Sequence, residues 1–311
     1  MHEITLILGC TGVGKSEFGL ALAEALGAEI LCLDSMQIYR RMNIGTAKPT
    51  VEEQRRIPHH LLDLIEPWET YSVARFVDHA EAAIRDIAAR GRRVVAVGGT
   101  SLYIKALTEG LFEGPGADAE IRARLKEEAR RIGKEALHAR LRRVDPVAAE
   151  RIHVNDLRRV VRALEVHELT GAPISSLQTQ WDRQRTRHAF RFIGLRRIRE
   201  DQNRRTNERV RQMIQAGLVE EVRGLLSLPH PLSRTARRAL GYAEILEYLA
   251  GRGSLDEAVE NIKINTRQFA KSQRTWFKRF RGVQWIDLAP GAEVAGEVGR
   301  VVQEIRITNC E

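Results

Sequence analysis

Cysteine is scarce in this sequence: Cys10, Cys32 and Cys310 are the only three in 311 residues, and none belongs to a C-x-x-C pair. Such scatter excludes a disulfide framework and a thiolate zinc site, and it fits a reducing compartment. Long apolar runs are also missing, since nothing approaches the roughly 20 consecutive apolar residues that a membrane-spanning helix needs. Met1-His2-Glu3 passes directly into Ile4-Thr5-Leu6-Ile7-Leu8 without the basic segment of a secretory signal. A soluble, cytoplasmic chain is expected. Aromatic residues make up 5%, and only 8 of the 50 basic residues are lysine, leaving 42 arginines. Hydrophobic residues at 43% and charged residues at 29% nevertheless give ample material for a core and no case for disorder. At 311 residues the length predicts two domains, or one domain carrying an insertion.

The formal net charge of +9 is unevenly spread. Residues 1–100 carry a net of −2, and residues 101–311 a net of +11. Two stretches concentrate the excess: Arg122 to Arg162, with 13 basic and 6 acidic residues, and Arg183 to Arg211, with 11 and 3. Arginine bias and solvated helix faces explain part of this, but both stretches also suit a polyanion. From Arg267 to Arg281 there are six basic residues and no acid, interleaved with Phe269, Trp276, Phe277 and Phe280. Basic residues beside aromatics suit phosphates and bases, yet Phe269, Trp276 and Phe280 fall at helical spacing, so a core role is expected for the rings.

Along the chain, Ile4 to Leu8 reads as a strand, followed by a glycine-rich turn and a helix closed by Gly27. Ile30 to Leu33 reads as a second strand, His60 to Ile65 as a third and Val94 to Val97 as a fourth, with a helix capped by Ser72 before the last. Wholly apolar strands alternating with helices predict a doubly wound, mostly parallel α/β sheet covered on both faces. After Gly114-Pro115-Gly116 the pattern turns helical over Ala119 to Ile132, Lys134 to Val144 and Asn155 to Thr170. Phe190 to Leu195 and Val283 to Asp287 read as strands again, with helices at about 200–216, 218–227, 242–250 and 255–279 between them. The expected organisation is a core over 1–114, an all-α basic insertion over 115–188 and completion of the core over 189–311.

Gly9-Cys10-Thr11-Gly12-Val13-Gly14-Lys15-Ser16 matches G-x-x-x-x-G-K-[ST] between a strand and a helix. In that context the glycines let main-chain N–H groups face a phosphate, Lys15 neutralises its oxygens and Ser16 can ligate magnesium. A P-loop NTPase-like core is expected. The motif alone names only a bound di- or triphosphate. No guanine-reading N-K-x-D or switch D-x-x-G occurs. A small-metabolite kinase and a nucleotide-switched RNA-binding protein remain open at this point, although neither accounts for the motifs beyond residue 34.

Those motifs are Asp34-Ser35-Met36-Gln37-Ile38-Tyr39, Gly45-Thr46-Ala47-Lys48-Pro49, His59-His60-Leu61-Leu62-Asp63 and Gly98-Gly99-Thr100-Ser101-Leu102-Tyr103. They are followed by Arg162-Ala163-Leu164-Glu165-Val166, Thr170-Gly171-Ala172-Pro173, Arg209 with Met213, Gly241-Tyr242, Thr266-Arg267-Gln268 and Thr275-Trp276-Phe277. In this order the set resembles the tRNA dimethylallyltransferases, also called tRNA isopentenyltransferases, over nearly the whole chain. The resemblance implies transfer of a dimethylallyl group from dimethylallyl diphosphate to N6 of adenosine 37 of tRNA, next to the anticodon, with release of diphosphate. It implies Mg2+ as cofactor, the anticodon stem-loop as partner and a monomeric enzyme away from membranes. By the same resemblance Asp34, Thr100 and Arg209 are catalytic, and Gly9 through Ser16 bind the diphosphate, with Ser16 on the metal. Asp34, Ser35, Met36, Gln37, Thr100 and Arg122, together with Arg158, Arg159, Val160, Val161 and Arg162, form the tRNA-contacting set. Within that helix only the arginines are offered to RNA, because Val160 and Val161 have core-facing spacing. The chain departs from the family at Cys10, Gly12, Val13 and Ser101, none of which removes a charged or catalytic group. It also lacks the C-terminal zinc-finger spacing of eukaryotic relatives, and so resembles the short bacterial form.

Overall fold

Two apolar segments near the N-terminus become strands, joined by a helix. Glu3–Leu8 forms β1, Lys15–Leu26 forms α1 after the glycine-rich loop, and Ala28–Leu33 forms β2. The chain continues through α2 (Val51–Arg56), the two-residue β3 (His59–His60), α3 (Val73–Ala89), β4 (Arg93–Gly98) and α4 (Ser101–Glu109). Five helices follow: α5 (Ala119–Ile132), α6 (Lys134–Val144), α7 (Pro146–Arg151), α8 (Leu157–Thr170) and α9 (Ile174–Leu177). Next come β5 (Ala189–Arg197), α10 (Arg199–Gln215), α11 (Leu218–Leu226) and α12 (Arg234–Arg237). The last elements are α13 (Tyr242–Leu249), α14 (Leu255–Phe277), β6 (Gln284–Leu288) and α15 (Ala295–Thr308). The computed structural model describes residues 3–110, 114–177, 188–292 and 294–308.

The six strands pair in parallel in the order β3-β2-β4-β1-β5-β6. β1 and β2 are apolar and buried almost throughout because both faces of the sheet are covered. One face packs Ile7, Phe18, Leu22, Val298, Val301 and Ile305. The other packs Leu6, Leu8, Phe76, Ile84, Ile104 and Phe277. A third core joins the loop after β2 to the C-terminal helices through Tyr39, Met42, Val210, Leu218, Tyr242 and Ile262. Among the described residues no helix is long and apolar enough to cross a membrane.

The chain divides into two compact units, one of Met1–Thr108 with Arg187–Glu311 and the other Glu109–Thr186, where the sequence placed the helical part at 115–188. The helical unit has its own core, with Leu125, Leu137, Leu141, Val161 and Leu164 buried together.

Sequence and structure part company at a few elements. The strand expected over His60 to Ile65 is confined to His59–His60, because Leu61 and Asp63 take left-handed φ values of 69° and 52° that end an extended run. Ile65 instead bridges to Tyr39. The helices α2, α4, α7, α9, α12 and α15 were not anticipated. α15 nevertheless carries Val298, Val301, Val302 and Ile305 at helical spacing, all buried.

Candidate active site

β2, β4 and β1 are adjacent and parallel, so the loops that follow them open at the same edge of the sheet. Motifs separated by up to 90 residues thus meet: the phosphate loop after β1, Asp34 after β2, and Gly99-Thr100 after β4. They line a cleft of about 680 Å³ within the α/β unit, completed by Arg205, Arg209 and Met213 of α10 and by Phe269 and Gln273 of α14.

The phosphate loop owes its shape to glycine at one crowded point. Gly12 has φ of 81°, and a Cβ there would come within 2.6 Å of Thr206 Oγ1. Lys15 Nζ donates to the Cys10 carbonyl at 2.9 Å, and burial pushes its pKa down to about 8. Nearby Arg209 adds to the depression, against Cys10 and Asp34, which oppose it. Cys10 and Val13 point into the protein and are buried, whereas Ser16 is exposed at the start of α1.

Side chains far along the sequence brace this loop. Thr11 N donates to Gln273 Oε1 at 2.8 Å, and Gln273 Nε2 donates to the Gly99 carbonyl at 2.9 Å, so one buried amide ties the phosphate loop to the Thr100 turn. Gln202 Nε2 donates to the Thr11 carbonyl at 2.7 Å, and Arg274 in turn donates to Gln202 Oε1 at 2.7 Å. Arg197, whose side chain is 1% exposed, pairs with Asp201 at 3.0 Å and donates through Nε to the Val13 carbonyl at 3.1 Å. Sequence reasoning missed Gln273, Gln202 and Arg197. It counted Arg274 only among six basic residues suited to phosphates and bases, and the structure sets its guanidinium on Gln202. Phe269 also departs from its expected core role: it is 47% exposed and lines the cleft, while Phe277 is buried and Trp276 and Phe280 are half-buried.

Asp34, Ser35, Met36, Gln37 and Thr100 all line the cleft. Asp34 Oδ1 accepts from Met36 N at 2.8 Å, which leaves the rest of its carboxylate for a ligand. Thr100 Oγ1 accepts from Ser35 N at 3.0 Å, joining the β2 and β4 loops. Arg209 donates from one terminal nitrogen to Thr11 Oγ1 at 2.6 Å, while its buried Nε has no partner. Burial lowers its pKa, Asp34 opposing and Arg205 adding to the effect. A guanidinium with an unspent donor beside a lysine of depressed pKa creates demand for an anion.

In the helical unit the predicted residues separate by burial. Val160 and Val161 are 1% and 2% exposed, so their side chains pack the core. Arg122 Nε and Arg162 reach Glu165, which is fully buried, both at 2.8 Å, and Asp118 N also donates to Glu165. Arg158 is exposed, and Arg159, 67% exposed, pairs with Asp156 at 3.3 Å.

A phosphate loop on a parallel sheet, with a carboxylate and a guanidinium lining the same cleft, defines a P-loop-like α/β protein with a site suited to a phosphorylated ligand. A family model described as IPP transferase matches residues 37–280, and one described as isopentenyl transferase matches residues 2–63. The tRNA dimethylallyltransferase of Geobacter metallireducens is 50% identical over 285 residues, 92% of each chain. That of Symbiobacterium thermophilum is 47% identical over 306 residues, 97% of this chain and 95% of its own. Among solved structures, the tRNA isopentenylpyrophosphate transferase of Bacillus halodurans is similar with a TM-score of 0.72 at 37% identity, covering 98% of this chain and 96% of its own. A eukaryotic dimethylallyltransferase acting on tRNA is similar with a TM-score of 0.84 at 26% identity, covering 99% and 80%. The chain belongs to the tRNA dimethylallyltransferase family. Neither a metabolite kinase nor a nucleotide switch accounts for identity over so much of the chain.

Proposed function

We propose that the protein transfers the dimethylallyl group of dimethylallyl diphosphate to N6 of adenosine 37 in the anticodon loop of tRNA. The observation that carries this reading is the meeting of Asp34, Thr100, Lys15 and Arg209 in one cleft. The carbon–oxygen bond of the allylic ester breaks, its electron pair and oxygen departing as diphosphate, a carbon–nitrogen bond forms from N6, and the N6 proton must go to a base. An exocyclic adenine amine is a weak nucleophile, because its lone pair is delocalised into the ring, so the Asp34 carboxylate accepts that proton as the bond forms. Lys15, Arg209 and the loop N–H groups hold the charge that grows on the departing diphosphate.

The donor at this site is the exposed Ser16 hydroxyl, a hard oxygen on the cleft. It suits magnesium, which takes few protein ligands and keeps substrate phosphate oxygens and waters for the rest. Ser16 would hold it against the diphosphate, where its charge would ease departure of the leaving group.

On the RNA side, the adenosine is taken out of its stack to reach the sheet edge. Asp34 to Gln37 receive it, and the exposed Arg158 and Arg159 bind phosphates of the anticodon stem-loop. Asp34→Asn tests the assignment. Turnover should fall by roughly 10² to 10⁴ while tRNA affinity holds; a variant that turns over at the normal rate would move the base elsewhere.

A further inference from the structure

Glu221, on α11, has no place in the chemistry above, yet it is the most heavily used acceptor beside the cleft. Its Oε2 accepts from Asn43 N and Ile44 N, each at 2.9 Å. Its Oε1 accepts from Ile44 N at 3.2 Å, from Gly45 N at 3.3 Å and from the Tyr242 hydroxyl at 2.6 Å. A carboxylate holding three consecutive main-chain N–H groups pins that loop, because any shift strands several donors at once. Tyr242 is 1% exposed, and burial together with Glu221 pushes its pKa up, so the hydroxyl stays a donor. Its ring fills the space beside Gly45, where a Cβ would sit 2.4 Å from Cε2.

The two residues after Gly45 pass this constraint on. The carbonyls of Thr46 and Ala47 accept from Gln37 Nε2 at 3.2 and 3.1 Å, and Ala47 is held at a left-handed φ of 50°. Two carbonyls facing one end of the amide settle its orientation, since a flipped amide would set oxygen against oxygen. Both Gln37 N–H groups are then spent, and the amide meets a ligand in the cleft through Oε1, an acceptor.

We infer that Glu221 is a positioning residue for the acceptor nucleoside: by way of the 43–47 loop it orients Gln37 so that the cleft offers an oxygen to a base edge carrying an N–H. A base presenting a carbonyl at that point meets a like acceptor and is disfavoured. This rests on the reading in which Asp34 to Gln37 receive the target base.

Steady-state kinetics with unmodified tRNA and dimethylallyl diphosphate, on Glu221→Gln, Gln37→Ala and the double variant, tests it. Glu221→Gln should raise KM for tRNA about tenfold with KM for dimethylallyl diphosphate nearly unchanged, and Tyr242→Phe should move it less in the same direction. In the Gln37→Ala background the Glu221→Gln effect should largely vanish, as expected of residues acting through one another. If the two effects multiply, or if Glu221→Gln raises both KM values alike, Glu221 is a structural support only and the inference is overturned. If Gln37→Ala alone leaves KM for tRNA unchanged, the reading of the 34–37 segment fails, and the inference falls with it. Should Glu221→Gln fail to fold, Tyr242→Phe with Gln37→Ala runs the same cycle.

Discussion

Lys15 concentrates the electrostatics of the site in one group. Burial pushes its pKa down to about 8, so in the free enzyme the ammonium loses its proton as pH rises through that value. A bound diphosphate restores the charge, and above pH 8 binding must therefore take up a proton. We predict that kcat/KM for dimethylallyl diphosphate falls above pH 8, with a log slope approaching one per pH unit, and that Lys15→Arg loses this limb. A profile flat through pH 8 and above would contradict it. Lys15 was legible in the sequence because its motif is contiguous: eight residues between one strand and one helix. Gln273 was not, because its partners Thr11 and Gly99 lie 262 and 174 positions away, and one glutamine in a basic, aromatic helix carries no pattern of its own. Glu221 and Arg197 stayed hidden for the same reason.

At the scale of elements, α8 shows how a basic run divides its labour. Burial alone would raise the Glu165 carboxyl, but hydrogen bonds from Arg162 and Arg122 and the main chain at Asp118 hold its pKa below the usual range. A depressed carboxyl contributes stability above its unfolded pKa and loses it as pH falls through the folded one, so this clamp weakens in acid. Arg122→Ala or Arg162→Ala should therefore destabilise the helical unit by roughly 1–3 kcal/mol in denaturant unfolding. Arg158→Ala should leave stability unchanged, weaken tRNA binding and lower the log–log salt slope by about one. The reverse pattern would show that Arg122 and Arg162, rather than Arg158, face RNA. Charge counting found the run but could not apportion it, because that depends on the buried acid each arginine meets. Strand and helix types were legible wherever apolar periodicity was sustained, as in β1, α3 and α14. The pattern misled at His60 to Ile65, where apolar residues serve a turn that packs on Tyr39 and no longer strand follows.

For the whole molecule, the residues that line the cleft all belong to one of the two units. The α/β unit gathers the phosphate loop, Asp34, Thr100 and Arg209 at the open ends of neighbouring strands, as the parallel topology requires. The helical unit holds the whole of the Arg122 to Arg162 stretch and builds a core of its own. Family membership accounts for both halves together, since the matched residues 37–280 run through the sheet, the helical unit and α14. The most direct test of the account is a single incubation of the protein with magnesium, dimethylallyl diphosphate and tRNA lacking the modification, followed by mass spectrometry of the nucleosides. We predict a dimethylallyl adenosine, located at position 37 and formed without ATP; unmodified adenosine, or product that appears only when ATP is supplied, would contradict it.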